Sequence, residues 1–185
     1  TTPSAFTDMG NYGWASTAVE FLRQHNVVSG MGDGRFGPGQ NIQRCDFTIM
    51  LCRAFNFNTG STYSFRDVPT GSYYAGAVAT AKDLGIVFGT DGRFMPTWNL
   101  SRQDAMLMLK QAMVAAKWNI PDGSSANLTG YLDSYEISDY ARDAVGTMVQ
   151  MGIVSGDSTR RLRPKDTITR AEMAVILYRA LTLYR

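Results

Sequence analysis

The stretch "ITRAEMAVILYRAL", residues 168–181, places an arginine where a helix least favours one. Thr169 and Glu172 have the S/T-x-x-E spacing of a capping box, which predicts a helix beginning at Thr169 with Arg170 in its first turn. A helix N-terminus carries partial positive charge, so a cation there costs a few tenths of a kcal/mol, up to ~1. The same placement suits an anion site. Free first-turn N–H groups and the helix dipole favour a carboxylate, and an arginine adds a bidentate fork of donors. The competing reading is structural: Arg170 pairs with Glu172 or covers the C-terminus of a neighbouring helix.

The arrangement recurs. "IQRCDFTIMLCRAF" begins at Ile42 and "LSRQDAMLMLKQAM" at Leu100, aligning Arg44, Arg102 and Arg170, and also Asp46, Asp104 and Glu172. Each motif follows a proline (Pro38, Pro96, Pro164), and each proline follows a Val-x-Gly ending at Gly30, Gly89 or Gly156. Further upstream stand an aromatic residue (Trp14, Tyr73, Tyr140) and an acidic start (Asp8, Asp67, Asp133). The aromatics could stack on a ligand ring or serve as core residues. The acids could accept from ligand hydroxyls or act as caps and turn residues. The glycines most simply permit a positive φ after a helix, and could also bring backbone N–H groups to a ligand.

These residues need elements to position them. Each unit reads as helix, turn, loop, helix. The first helix is predicted over Trp14–His25, with Ala15, Ala18, Val19 and Leu22 at i, i+3, i+4, i+7. The second helices are predicted near Arg44–Phe55, Arg102–Ala116 and Arg170–Leu181. The first of these carries Phe47, Met50, Leu51 and Ala54 on one face. Met173, Val175, Ile176, Leu177 and Leu181 spread around the third. "WNIPDGSSANLTGY", Trp118–Tyr131, accounts for most of the extra length of the third unit and reads as a surface loop. Unit boundaries fall at 1–60, 61–120 and 121–185, forming one composite all-α domain. A unit of about 60 residues holds little core of its own, so the units must pack together, as an open stack or a closed pseudo-threefold ring.

Composition narrows the classes. The chain has 185 residues, 44% hydrophobic and 18% charged, with a net charge of +2 and no long basic run, which argues for a globular protein and against nucleic acid as partner. No apolar run reaches the roughly 18–20 residues of a membrane span. The opening TTPSAF reads as a module cut from a larger or processed protein. Cys45 and Cys52 lie in one predicted helix, roughly 10 Å apart by helical rise, beyond the about 7 Å that a disulfide allows. With His25 they make a poor metal set, and two buried small hydrophobes is the simpler reading. "GDGRFG", Gly32–Gly37, matches G-x-G-x-x-G but follows a helix, and its pattern is lost in the other units, so no dinucleotide or other cofactor is expected. Asp33-Gly34 and Asp91-Gly92 lack the alternating ligands of a calcium loop. "TRRLRPK", Thr159–Lys165, reads as a solvated basic loop that could also help hold an anionic polymer.

The ordered blocks resemble the S-layer homology family: Phe/Leu-x-Asp, an aromatic before an Ala-rich helix, "LGIVFG" in the second unit and "ITRAE" in the third. The likeness covers nearly the whole chain in three tandem copies. It implies a non-catalytic anchor shaped as a three-pronged spindle, with the second helices in a central bundle. It implies grooves between units that take a secondary cell-wall polysaccharide, its terminal sugar commonly a pyruvylated N-acetylmannosamine whose carboxylate meets the arginine. The implied setting is extracellular, in the cell wall or S-layer, as a monomeric module of a surface protein. The implied site residues are Arg44, Arg102 and Arg170, with Trp14, Tyr73, Tyr140, Asp8, Asp67, Asp133, Gly30, Gly89 and Gly156 around them. Two other classes stay open: a protein-binding scaffold with decayed grooves, and a glycan-active enzyme.

Overall fold

The computed structural model describes residues 5–183; Thr1–Ser4, which open the first predicted unit, and residues 184–185, which close the third, lie outside them. The described chain is all-α. Its helices are α1 (Ser16–Gln24), α2 (Arg44–Ala54), α3 (Ala75–Asp83), α4 (Arg102–Ala115), α5 (Asp139–Gln150) and α6 (Arg170–Leu183). Three short 3-10 turns precede or join them, and strand pairing among the described residues is confined to isolated bridges.

The second helices begin where their motifs predict. In α6 the capping box is reciprocal: the Glu172 N–H donates to Thr169 Oγ1 at 3.2 Å, and the Thr169 N–H donates to Glu172 Oε2 at 3.0 Å. Ser101 caps α4 by accepting from the Asp104 N–H, whereas Gln43 makes no side-chain cap on α2. The first helix is shorter than predicted. Gly10–Ala15 form a 3-10 turn with a non-helical Tyr12 inside it, so Trp14 leads into α1 rather than lying within it. Helix ends are set by left-handed residues just past the last turn: Asn26, Asn56, Gly85, Lys117 and Gly152.

Ring closure is decided by three backbone hydrogen bonds. The Ile42 N–H donates to Ile168 O (3.1 Å), Ile168 N–H to Leu100 O (3.0 Å) and Leu100 N–H to Ile42 O (2.9 Å). The circuit returns to its start, which an open stack could not do, and all three residues are fully buried. Each of these residues lies two positions before a second helix, so the three helices set out from one point, and α2 and α4 touch. The principal helix pairs cross the repeat boundaries. Helix α2 packs with α3, α4 with α5, and α6 with α1, so the last helix of the chain covers the first.

The segment 118–131 is not simply a surface loop. Gly123 and Leu128 are buried, and the Gly123–Ser125 turn packs on α5. Backbone meets backbone there: a Cβ on Gly146 would overlap the Gly123 carbonyl. Gly-rich composition marks close approach here as well as exposure. Cys45 and Cys52 are both buried free thiols, and burial pushes the Cys52 thiol up to about 11.

Leu100→Ala, at the ring, is expected to cost about 2–5 kcal/mol. Urea unfolding of both proteins, followed by far- and near-ultraviolet circular dichroism, should remain one transition. Separate transitions for separate units would contradict a closed core.

Candidate functional site

At the start of each second helix the first-turn donors are not free. In α6 the Arg170 N–H donates to Gln40 O (2.8 Å) and the Ala171 N–H to Pro38 O (3.0 Å), while the third amide goes to Thr169 Oγ1. In α2 the Arg44 and Cys45 amides donate to Trp98 O and Pro96 O. In α4 the Arg102 and Gln103 amides donate to Asp166 O and Pro164 O. The expectation that first-turn N–H groups remain for a ligand carboxylate is therefore corrected: carbonyls of the neighbouring unit's Pro-x-x loop occupy them. This also explains the arginine. The carbonyl oxygens offset the positive helix end, and the arginine adds a further donor to the same loop.

That donor is Nε in every case: Arg44 Nε to Phe94 O (3.0 Å), Arg102 Nε to Leu162 O (2.9 Å), Arg170 Nε to Phe36 O (2.8 Å). The guanidinium groups of Arg44 and Arg170 lie over the rings of Phe94 and Phe36, at 4.9 and 4.7 Å from the centroids. Burial lowers the pKa of all three arginines from the usual guanidinium range, and each stays charged at neutral pH. The terminal nitrogens differ. Arg44 Nη1 stands 3.7 Å from Asp104 Oδ2 and Arg102 Nη1 stands 3.6 Å from Glu172 Oε2, beyond good hydrogen-bond length. Arg170 Nη2 donates to Ser29 O at 3.2 Å, which spends it on its own groove wall.

The three aspartates sit beneath the same loops. Asp8 accepts from the Phe36 and Gly37 amides, Asp67 from Phe94 and Met95, and Asp133 from Leu162 and Arg163, all at 2.8–2.9 Å. Each loop residue that receives an arginine at its carbonyl is thus held at its amide by an aspartate. Burial alone would raise the carboxyl pKa of Asp8 and Asp67, but the paired amide donors outweigh it and bring both below 3.8.

The glycine expectation needs correcting. Gly30 and Gly89 are not in the left-handed region; of the three only Gly156 is, at φ 75°. The shared requirement is clearance. A Cβ would come within 2.7 Å of Phe6 Cε1 at Gly30, 2.6 Å of Phe65 Cε1 at Gly89 and 2.9 Å of Tyr131 Cε1 at Gly156. The same residue type carries both meanings, so the sequence does not separate them.

Two clefts bring the candidate residues together. One, about 610 Å³, is lined by Arg44, Gly89, Asp104 and Tyr140, with Phe88 and Trp98 at its walls. The other, about 380 Å³, holds Arg102, Gly156, Glu172 and Trp14 in the same roles. Each cleft takes its arginine, its loop and its aromatic from three different repeats. Trp14, Tyr73 and Tyr140 are 59%, 72% and 61% exposed, so they are surface aromatics rather than core. Tyr140 Oη donates to Asp104 Oδ1 and Tyr73 Oη to Asp46 Oδ1, both at 2.8 Å, so the acid of one motif holds the next repeat's aromatic. Phe88 and Trp98 were not singled out from sequence. Their signal is departure from the repeat: Ser29 and Ser155 replace Phe88 in the other units, and Gln40 and Asp166 replace Trp98.

The S-layer homology domain matches at residues 5–48, 64–106 and 130–174, and the chain belongs to that family of non-catalytic cell-surface anchoring modules. It is 32% identical over 89% of its length to an amylopullulanase of Thermoanaerobacterium thermosulfurigenes, of which the match is 9%. It is 26% identical over 92% of its length to an S-layer protein of Bacillus thuringiensis subsp. finitimus, of which the match is 20%. With an exoglucanase XynX of Acetivibrio thermocellus it shares 29% identity over 89% of its length and 15% of that protein. The chain spans a fifth or less of each of these relatives.

Asp67→Asn replaces an accepting oxygen by a donor facing backbone N–H groups and is expected to cost about 1–3 kcal/mol at pH 7. The sign with pH follows from the lowered pKa. The stabilisation by Asp67 is present above the unfolded value near 3.9 and fades as pH falls through the folded value. Urea midpoints at pH 7 and pH 3 should therefore converge between wild type and variant. A difference that is the same at both pH values would contradict the assignment.

Proposed function

We propose that this chain anchors a surface protein to the cell wall by binding an anionic secondary cell-wall polysaccharide in the clefts between its repeats. The observation that carries the reading is the composition of those clefts: a guanidinium, half-buried in Arg44 and buried in Arg102, with a loosely held terminal nitrogen, a loop with glycine where a Cβ would clash, and an exposed aromatic at the rim. A carboxylate, such as a pyruvate ketal on a terminal sugar, pairs with the guanidinium in place of the long contact to Asp104 or Glu172. Sugar rings stack on the aromatic. The similar segment is a small part of both glycan-degrading enzymes and S-layer proteins, which fits a shared tether attached to different cargo. In this reading the setting is the extracellular face of the wall or S-layer, and the module works as a monomer without a cofactor.

The three grooves are not equal. Arg44 has the larger cleft and Arg102 the smaller, whereas Arg170 gives both Nε and Nη2 to backbone carbonyls. The looser hold on its terminal nitrogen and the larger cleft support Arg44 as the leading ligand-binding arginine. Asp8, Asp67 and Asp133 serve the site by holding the loops.

Titration calorimetry with a short pyruvylated oligosaccharide should show Arg44→Ala losing roughly ten- to a hundredfold in affinity, Arg102→Ala less and Arg170→Ala least, with helical content checked for each. If wild type binds and the three variants, alone and combined, bind equally well while folded, the arginines are purely structural. No binding by wild type would favour the scaffold reading.

A further inference from the structure

The second repeat carries a pocket that the other two lack the residues to make. It has a volume of about 530 Å³ and is lined by Arg66, Asp67, Arg93, Tyr74, Met95 and Trp98. Arg66, Arg93 and Trp98 are exposed, and among the described residues neither arginine has a side-chain hydrogen bond or ion pair. The single carboxylate present, Asp67, has both oxygens engaged by the Phe94 and Met95 amides, though Arg93 still acts on it through space. The pocket is therefore a cationic hollow with an aromatic wall and little local neutralisation.

Its position matters as much as its charge. Arg93, Met95 and Trp98 also line the cleft of Arg44, so the two hollows share one ridge. The ridge is particular to this repeat. Arg66 corresponds to Thr7 and Leu132, and Trp98 to Gln40 and Asp166; only Arg93 has counterparts, in Arg35 and Arg161. An aromatic side chain between two cationic hollows can carry a sugar ring on its face while the hollows take anionic groups on either side.

We infer that the Arg66–Arg93 pocket is a second anion subsite, continuous over Trp98 with the Arg44 cleft, which takes a charged group borne by an inner sugar of the same glycan chain. The inference rests on the glycan reading of the Arg44 cleft and extends it. The ligand class becomes a polysaccharide with repeated anionic substituents rather than a single charged end, and the Arg44 cleft becomes a two-point grip. Two linked contacts on one chain raise affinity without requiring either to be strong.

The test compares two kinds of probe. One is pyruvylated N-acetylmannosamine as a monosaccharide. The other is a set of oligosaccharides carrying two such units separated by no, one or two neutral sugars. Calorimetry would be run on the full chain as wild type, Arg66→Ala, Trp98→Ala and Arg44→Ala. The expected result is a two-charge oligosaccharide that binds wild type at least tenfold more tightly than the monosaccharide. Arg66→Ala should remove most of that advantage, about tenfold, and leave monosaccharide affinity unchanged; Trp98→Ala should reduce it as well. Arg66 is exposed, so its variant is expected to keep the wild-type circular dichroism spectrum. If the monosaccharide binds through Arg44 but two-charge probes gain nothing, or gain equally in Arg66→Ala, the second subsite is overturned and the glycan reading stands. If no probe binds wild type, both are overturned.

Discussion

Everything in this molecule depends on how the positive ends of three helices are neutralised. Each second helix drives its first two amides and an arginine Nε into carbonyls of the next repeat's loop, Phe36 to Gln40, Phe94 to Trp98 or Leu162 to Asp166. A helix terminus left unpaired in a buried position would cost free energy for each orphan donor. Only the neighbouring repeat supplies the acceptors, so no repeat can complete its own helix. Three such dependencies in a circle give the closed circuit through Ile42, Leu100 and Ile168 and bring α1 onto α6.

The same contact builds the site. Because the arginine arrives at a foreign loop, the guanidinium groups of Arg44 and Arg102 line clefts between repeats, beside the aromatic of a third. Nε is committed to the fold in all three, and in Arg44 and Arg102 a terminal nitrogen is left at a cleft with only a long contact to a carboxylate. The aspartate beneath each loop, by clamping the amide of the residue whose carbonyl the arginine uses, fixes where the guanidinium sits. Under the proposed reading, a carboxylate ligand would strengthen a charge arrangement that the fold already holds, so that binding and fold stability would be coupled through these residues.

Much of this was legible in the sequence, in uneven ways. The recurrence at Arg44, Arg102 and Arg170 fixed the repeat, the all-helical class and the second-helix starts. The Thr169–Glu172 spacing identified a capping box that the structure contains, and Cys45 and Cys52 are free thiols as helical rise requires. The inter-repeat partners were not legible, because spacing within a repeat carries no information about which neighbour receives an amide. Hence the first-turn N–H groups looked available when they are spent. Gly30 and Gly89 looked like turn residues because absence of a side chain answers crowding and positive φ alike. Gly123 looked exposed for the same reason. Phe88 and Trp98 stand at positions where the repeats disagree, and a search for what repeats passes over them.

The central claim is that the arginine is divided, with Nε held by the fold and Nη offered to an anion. Nitrogen-edited magnetic resonance of the guanidinium groups during titration with a pyruvylated sugar tests it directly. The Arg44 Nη resonances should shift on binding while its Nε–H stays protected by Phe94 O throughout. Saturable binding that leaves the Arg44 Nη resonances unmoved, or that displaces Nε from its carbonyl, would contradict the account.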